Sequence, residues 1–136
     1  MDPGDMHTAI MTGHCYLDIR DYENALKYYF RVEYTDPGNL KILRPIAFCY
    51  FALGRFSDSD KYYERLSLGK LNAHDYINKG HLSLCLGRKK EAIDFYRLGI
   101  NSGEISMEEF MTVFEEDQPL LLSLGVTRED LPILLD

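Results

Sequence analysis

The residues best suited to chemistry in this 136-residue chain are four histidines and three cysteines. His7 and His14 stand seven apart, and so do His74 and His81. On a helix that spacing is two turns, which puts both rings on one face but about 10.5 Å apart along the axis. Two imidazoles sharing a zinc ion must each come within about 2.0–2.1 Å of it, so neither pair can do so and no metal site is expected. His14 and Cys15 adjoin in "GHC", but helical neighbours point about 100° apart and make no nucleophile–base dyad. Cys15, Cys49 and Cys85 lie far apart with no CxxC. An odd count with no export signal reads as reduced thiols of the cytoplasm. The chain has no GxSxG, P-loop or HExxH pattern. The expectation is a protein that is not an enzyme, with no catalytic residues and no cofactor.

Charge narrows the partners. Residues 104–136 hold nine acids and a single base, Arg128, so that segment carries −8 while the whole chain is −7 and the rest is +1. No basic cluster of the kind a phosphate backbone requires is present, which argues against nucleic acid. The longest uncharged apolar run, "PIAFCYFALG" from Pro45 to Gly54, is ten residues, half of what a membrane-spanning helix needs. The N-terminus, "MDPGDMHTAI", is acidic and has no apolar signal core. Neither membrane nor export is expected.

The elements that must position these residues repeat along the chain. "GHCYLDIRDYENALKYYFRVEYTDP" (13–37), "AFCYFALGRFSDSDKYYERLSLGKL" (47–71) and "GHLSLCLGRKKEAIDFYRLGI" (80–100) begin 34 and 33 residues apart. Each opens on a small residue (Gly13, Ala47, Gly80). Twelve positions later comes another small residue (Ala25, Ser59, Ala92), and four further on a tyrosine (Tyr29, Tyr63, Tyr96). Such spacing fits two helices that cross where side chains are small, with the tyrosine filling the wider gap a turn later. Gly13 is therefore expected to face Ala25. "LGR" at 53–55 and 86–88 supplies a glycine for the left-handed residue that ends a helix, and Asp21 can cap the helix that follows it. Helices are expected at about 5–18, 22–35, 40–53, 57–68, 73–86 and 90–101. Beyond them, Ser106 and Glu109 form a capping box. Met107, Phe110, Met111 and Phe114 make one apolar stripe. "QPLLLSLG" reads as a separate short helix, and Asp130 as the cap of a last one, since Pro132 is tolerated only in a first turn. The chain stops in an apolar run, as a piece of a longer protein would.

The pattern resembles the tetratricopeptide repeat, on Gly13, Tyr16, Ala25, Tyr29 and Pro37, on Ala47, Tyr50, Ser59 and Tyr63, and on Gly80, Ala92 and Tyr96. It departs from that family in having no Trp, in Ser83 where Tyr16 and Tyr50 stand, and in lacking a closing Pro in the second repeat. The resemblance implies an all-α, right-handed superhelix of three helical hairpins. Residues 1–103 would hold the three repeats (about 6–39, 40–72 and 73–106), and 104–136 an acidic C-terminal capping segment with an amphipathic capping helix.

In this family the first helices of the repeats line a concave groove. Carried over, the implied groove residues are His7, Ile10, His14 and Leu17, then Lys41, Arg44, Phe48 and Phe51, then His74, Ile77, His81 and Leu84. That set is apolar with basic points, which suits a protein or peptide segment with apolar anchors and an acidic group. Two solvent-facing phenylalanines would otherwise be an unexplained patch. Histidines there could also charge as pH falls toward 5.5, adding up to four positive charges to the groove. The carboxylate clamp by which co-chaperones of the family hold heat-shock chaperones is missing: its positions carry Ile10, His14, Pro45, His74 and Asn78. The reading is a non-catalytic, monomeric interaction module or adaptor. A chaperone of the bacterial type III secretion class is the alternative, against which stands the first repeat's start near residue 6, leaving no dimerisation helices before it. A structural domain of a larger assembly is another. Pro45 sits inside the second repeat's first helix, where it cannot donate to the carbonyl of Lys41 and disfavours helix at Arg44. The spacing of Leu40, Leu43 and Ala47 places the helix start near Leu40, with a kink at the proline.

Overall fold

The computed structural model describes residues 2–67 and 71–130, in two compact units, 1–69 and 70–136. The described residues form seven α-helices and a 3-10 turn, with no strand among them. The first unit holds α1 (Pro3–Asp18), α2 (Tyr22–Thr35), α3 (Leu40–Ala52) and α4 (Phe56–Ser67). In the second are α5 (Ala73–Cys85), α6 (Lys89–Asn101), α7 (Met107–Ser123) and the turn Arg128–Asp130. Six helices fall within two residues of the expected bounds. α1 pairs with α2, α3 with α4 and α5 with α6, while α3 also lies against α2 and α1.

Local chemistry explains the starts and stops. Asp2, Asp21, Asn39 and Ser106 each accept a backbone N–H in the first turn of the helix they precede. α5 begins with a full capping box, Asn72 and Asp75 each accepting the other's backbone N–H at 2.9 Å. α3 and α5 end alike. Gly54 and Gly87 take φ of 78° and 77°, and the next N–H turns back, Arg55 to the Tyr50 carbonyl and Arg88 to that of Ser83, both at 2.8 Å. α1 ends the same way at the matching position, but Arg20 carries the left-handed φ, 62°, with Asp21 N–H on the Tyr16 carbonyl at 2.9 Å.

The hairpins are tighter than the small-against-small expectation. The small residue of the first helix meets the tyrosine itself. A Cβ built on Gly13 would lie 2.6 Å from a ring carbon of Tyr29, and one on Gly80 2.6 Å from Tyr96. In the second hairpin the serine does the close work, donating from Oγ to the Ala47 carbonyl at 2.7 Å. All three tyrosines are buried. Around Tyr29 the core gathers Ile10, Ala25, Leu26, Val32, Ile42, Ile46 and Cys49.

α3 starts at Leu40 and contains Pro45, as the spacing of its apolar residues predicts. Its charge-poor sequence is explained by burial of Ile42, Leu43, Ile46, Ala47, Cys49 and Phe51. A second proline is carried within a helix where two separate helices were expected: α7 runs unbroken through Pro119 to Ser123. Glu115, whose carbonyl loses its usual donor, and Pro119 are both exposed, so water can serve that carbonyl. Asp130 closes the 3-10 turn, accepting from Thr127 and pairing with Lys89. The expected helix beyond it falls at 131–136, outside the described residues.

Candidate binding surfaces

The structure divides the twelve groove candidates by exposure. In the first unit, His7 and Lys41 are exposed, and His14, Leu17, Arg44 and Phe48 are half-buried. Ile10 and Phe51 are buried. Phe51, expected beside Phe48 on the surface, packs instead between Phe48 and Phe56, ring centres 6.2 and 6.1 Å away. In the second unit His74 is exposed, while Ile77, His81 and Leu84 are buried.

Two of the histidines have structural partners that their spacing did not reveal. His14 Nδ1 lies 2.7 Å from the Tyr29 hydroxyl, and His81 Nδ1 lies 2.6 Å from that of Tyr96. The same pair recurs 67 residues on. In the middle repeat Phe48 stands where the histidine would be, so this hydrogen bond has no counterpart there. His81 is held from its other side too, its Nε2 2.9 Å from Asp117 on α7. A carboxylate only accepts, so Nε2 carries the proton, and in the neutral ring Nδ1 accepts from the Tyr96 O–H. Around this relay α7 lays Phe110 and Phe114 against Tyr96, both at 5.6 Å. Buried and bonded at both ring nitrogens, His81 is not part of an exposed groove face. A matched pair of His and Tyr fifteen residues apart was the available signal.

Burial pushes the hydroxyls of Tyr29 and Tyr96 well above the ordinary phenol range. It raises the thiols as well, Cys49 to about 12 and Cys85 to about 11. These groups stay protonated and make no nucleophiles. Among the described residues no group of three His, Cys, Asp or Glu could hold a metal ion, and no helix is long and apolar enough to cross a membrane.

The charge at the start of α3 differs from that of every other described helix. Each of the other six has an acid in its first turn, where the helix dipole favours negative charge. α3 has none, and carries Lys41 and Arg44 in its first five residues.

Paired helices, a recurring left-handed turn and a tyrosine set on a small residue define a helical-hairpin repeat protein. The family model of the tetratricopeptide repeat matches residues 11–41, so the α1–α2 hairpin is similar to a tetratricopeptide repeat, and the helical hairpins as a whole are consistent with an all-α array of that kind. No curated protein matches it. Tetratricopeptide repeats generally mediate binding between proteins.

Proposed function

We propose that the chain is a non-catalytic interaction module of the cytoplasm that binds a partner segment along the first helices of its repeats. The observation that carries this reading is the reversed charge at the start of α3. Lys41 and Arg44 there add positive charge to the positive end of the dipole, with no acid in that turn. Lys41 is exposed there, so an anionic group arriving from a partner would meet positive charge at the positive end of the helix. Phe48, half-buried on the same helix, supplies an apolar contact, and Leu17, His14 and His7 on the neighbouring α1 extend the set. The partner segment would bring an acidic group and at least one apolar anchor. His74 is the groove residue of the third repeat that remains exposed.

The test is a pulldown from lysate with wild type against Lys41→Glu/Arg44→Glu, with captured proteins identified by mass spectrometry. Partners captured by wild type should be lost with the variant, whose circular dichroism should match wild type. Identical partner sets would sink the reading.

A further inference from the structure

The repeats also carry a carboxylate-binding device, occupied in the second and open in the first. In the second hairpin the Tyr62 hydroxyl lies 2.6 and 2.9 Å from the two carboxylate oxygens of Glu33 on α2. Arg65 donates to the same carboxylate at 3.1 Å. The guanidinium of Arg65 rests over the Tyr62 ring at 4.9 Å, and Tyr50 packs on that ring at 5.6 Å. Glu33 does not arrive alone. Phe30, one turn before it on α2, packs on Tyr50 at 6.1 Å. The device therefore reads a helix that presents an aromatic residue and, three positions later, a glutamate.

Thirty-four residues earlier every receiving part is present. Tyr28 and Arg31 match Tyr62 and Arg65, and Tyr16 matches Tyr50. Arg31 lies over the Tyr28 ring at 4.7 Å, and Tyr16 stacks on Tyr28 at 5.6 Å. Two aromatic rings and a guanidinium thus recur in both hairpins at matching separations, the ring planes meeting at 18° in the first and 39° in the second. Here no carboxylate among the described residues bonds the Tyr28 hydroxyl or the Arg31 guanidinium. Both side chains instead line an open cleft of about 460 Å³ with Asp5, Thr8, Ala9 and Thr12. The face is more polar than its counterpart, since Thr8 and Thr12 stand where α3 has Ile42 and Ile46. It also carries an acid, Asp5, where α3 is capped by Asn39.

We propose that this cleft docks a helix of a partner protein bearing an aromatic-x-x-Glu motif, with its glutamate on Tyr28 and Arg31 and its aromatic ring on Tyr16. The intramolecular complex is the template. A carboxylate meeting a phenol and a guanidinium makes charge-assisted hydrogen bonds, and the cation–π contact already sets the guanidinium in position. The surface is distinct from the first-helix set around Lys41, so the two proposals stand or fall separately.

The probe is a fluorescein-labelled, N-acetylated peptide of residues 22–35, which contains Phe30 and Glu33, read by fluorescence anisotropy against the full chain. The wild-type peptide should bind, more weakly as salt is raised. Glu33→Gln in the peptide, and Arg31→Ala or Tyr28→Phe in the protein, should each weaken binding about tenfold, the effect of losing one charged hydrogen bond at a partly solvated site. Asp5→Asn should tighten binding by removing the one acid in the cleft. Lys41→Glu/Arg44→Glu should leave it unchanged. Arg31 is exposed, so its alanine variant is expected to melt with wild type. A peptide that does not bind, that binds Arg31→Ala and wild type alike, or that responds to the Lys41→Glu/Arg44→Glu change instead, overturns the proposal.

Discussion

Replacing His81 and Tyr96 singly and together measures the relay that joins α5, α6 and α7. Both residues are nearly inaccessible, His81 at 1% and Tyr96 at 2% exposure, so water cannot substitute for a lost partner. Tyr96→Phe removes the hydroxyl and leaves His81 Nδ1 without this donor. The expected cost is about 1–3 kcal/mol, that of stranding a buried polar group. His81→Phe strands the Tyr96 O–H instead, at a similar cost of about 1–3 kcal/mol. It should fit sterically, because Phe48 occupies the matching position of the second repeat. Asp117 loses its partner too, but its side chain is 32% exposed and can take up water, so it adds little. In the double variant neither polar group remains, and the two costs should not add. The coupling in a double-mutant cycle should be about 1–2 kcal/mol. Urea unfolding followed by far-UV circular dichroism supplies the four free energies. Strictly additive losses would show that the 2.6 Å contact contributes nothing to stability, and the structural role given to His81 would fail.

Other expectations concern backbone and ionisation. Gly80→Ala should lower stability by about 1–3 kcal/mol through overpacking, because its Cβ would meet a Tyr96 ring enclosed by His81, Phe110 and Phe114. A melting temperature at or above wild type would show that the Tyr96 ring yields to the added methyl. Arg20→Gly should raise stability by up to about 1 kcal/mol, relief of left-handed strain being partly offset by the freer unfolded chain; a fall in melting temperature counts against it. Burial raises the folded-state pKa of Cys49, Cys85, Tyr29 and Tyr96. The unfolded chain releases these protons first, so stability is full below the free thiol range and is lost as pH climbs through 9 toward 12. A flat melting temperature across that range would contradict it. At pH 8 a thiol reagent should label exposed Cys15 quickly and buried Cys49 only on unfolding, as mass spectrometry after timed quenching can establish.

The helical layout was legible because several independent signals coincided at each boundary. "LGR" at 53–55 and 86–88 marks a left-handed stop, and the 34-residue recurrence of small residue and tyrosine marks each crossing. What stayed hidden depended on neighbours. Phe48 and Phe51 look equivalent on a helix wheel, yet Phe56 from α4 covers one of them. His14 and His81 look like surface histidines in a groove until the tyrosine fifteen residues later is seen to reach them. "QPLLLSLG" reads as a separate helix, yet α7 continues through Pro119. Nothing in the sequence shows that the carbonyl it deprives faces water.

Comparison within the chain separates what the fold needs from what it does not. Tyr29, Tyr63 and Tyr96 recur because each fills the same hairpin, and Arg20, Gly54 and Gly87 recur at one turn because the chain must reverse there. Residues that break the register are free of those duties. Lys41 and Arg44 occupy a helix start that in six other described helices holds an acid. Glu33 points the other way: it is a single residue that fills a Tyr–Arg device present twice. A fold that required the device to be filled would have provided two such carboxylates among these residues, and it provides one. The open copy at Tyr28 and Arg31 is thus compatible with a stable hairpin, which is the condition under which Arg31→Ala can report on binding without reporting on folding.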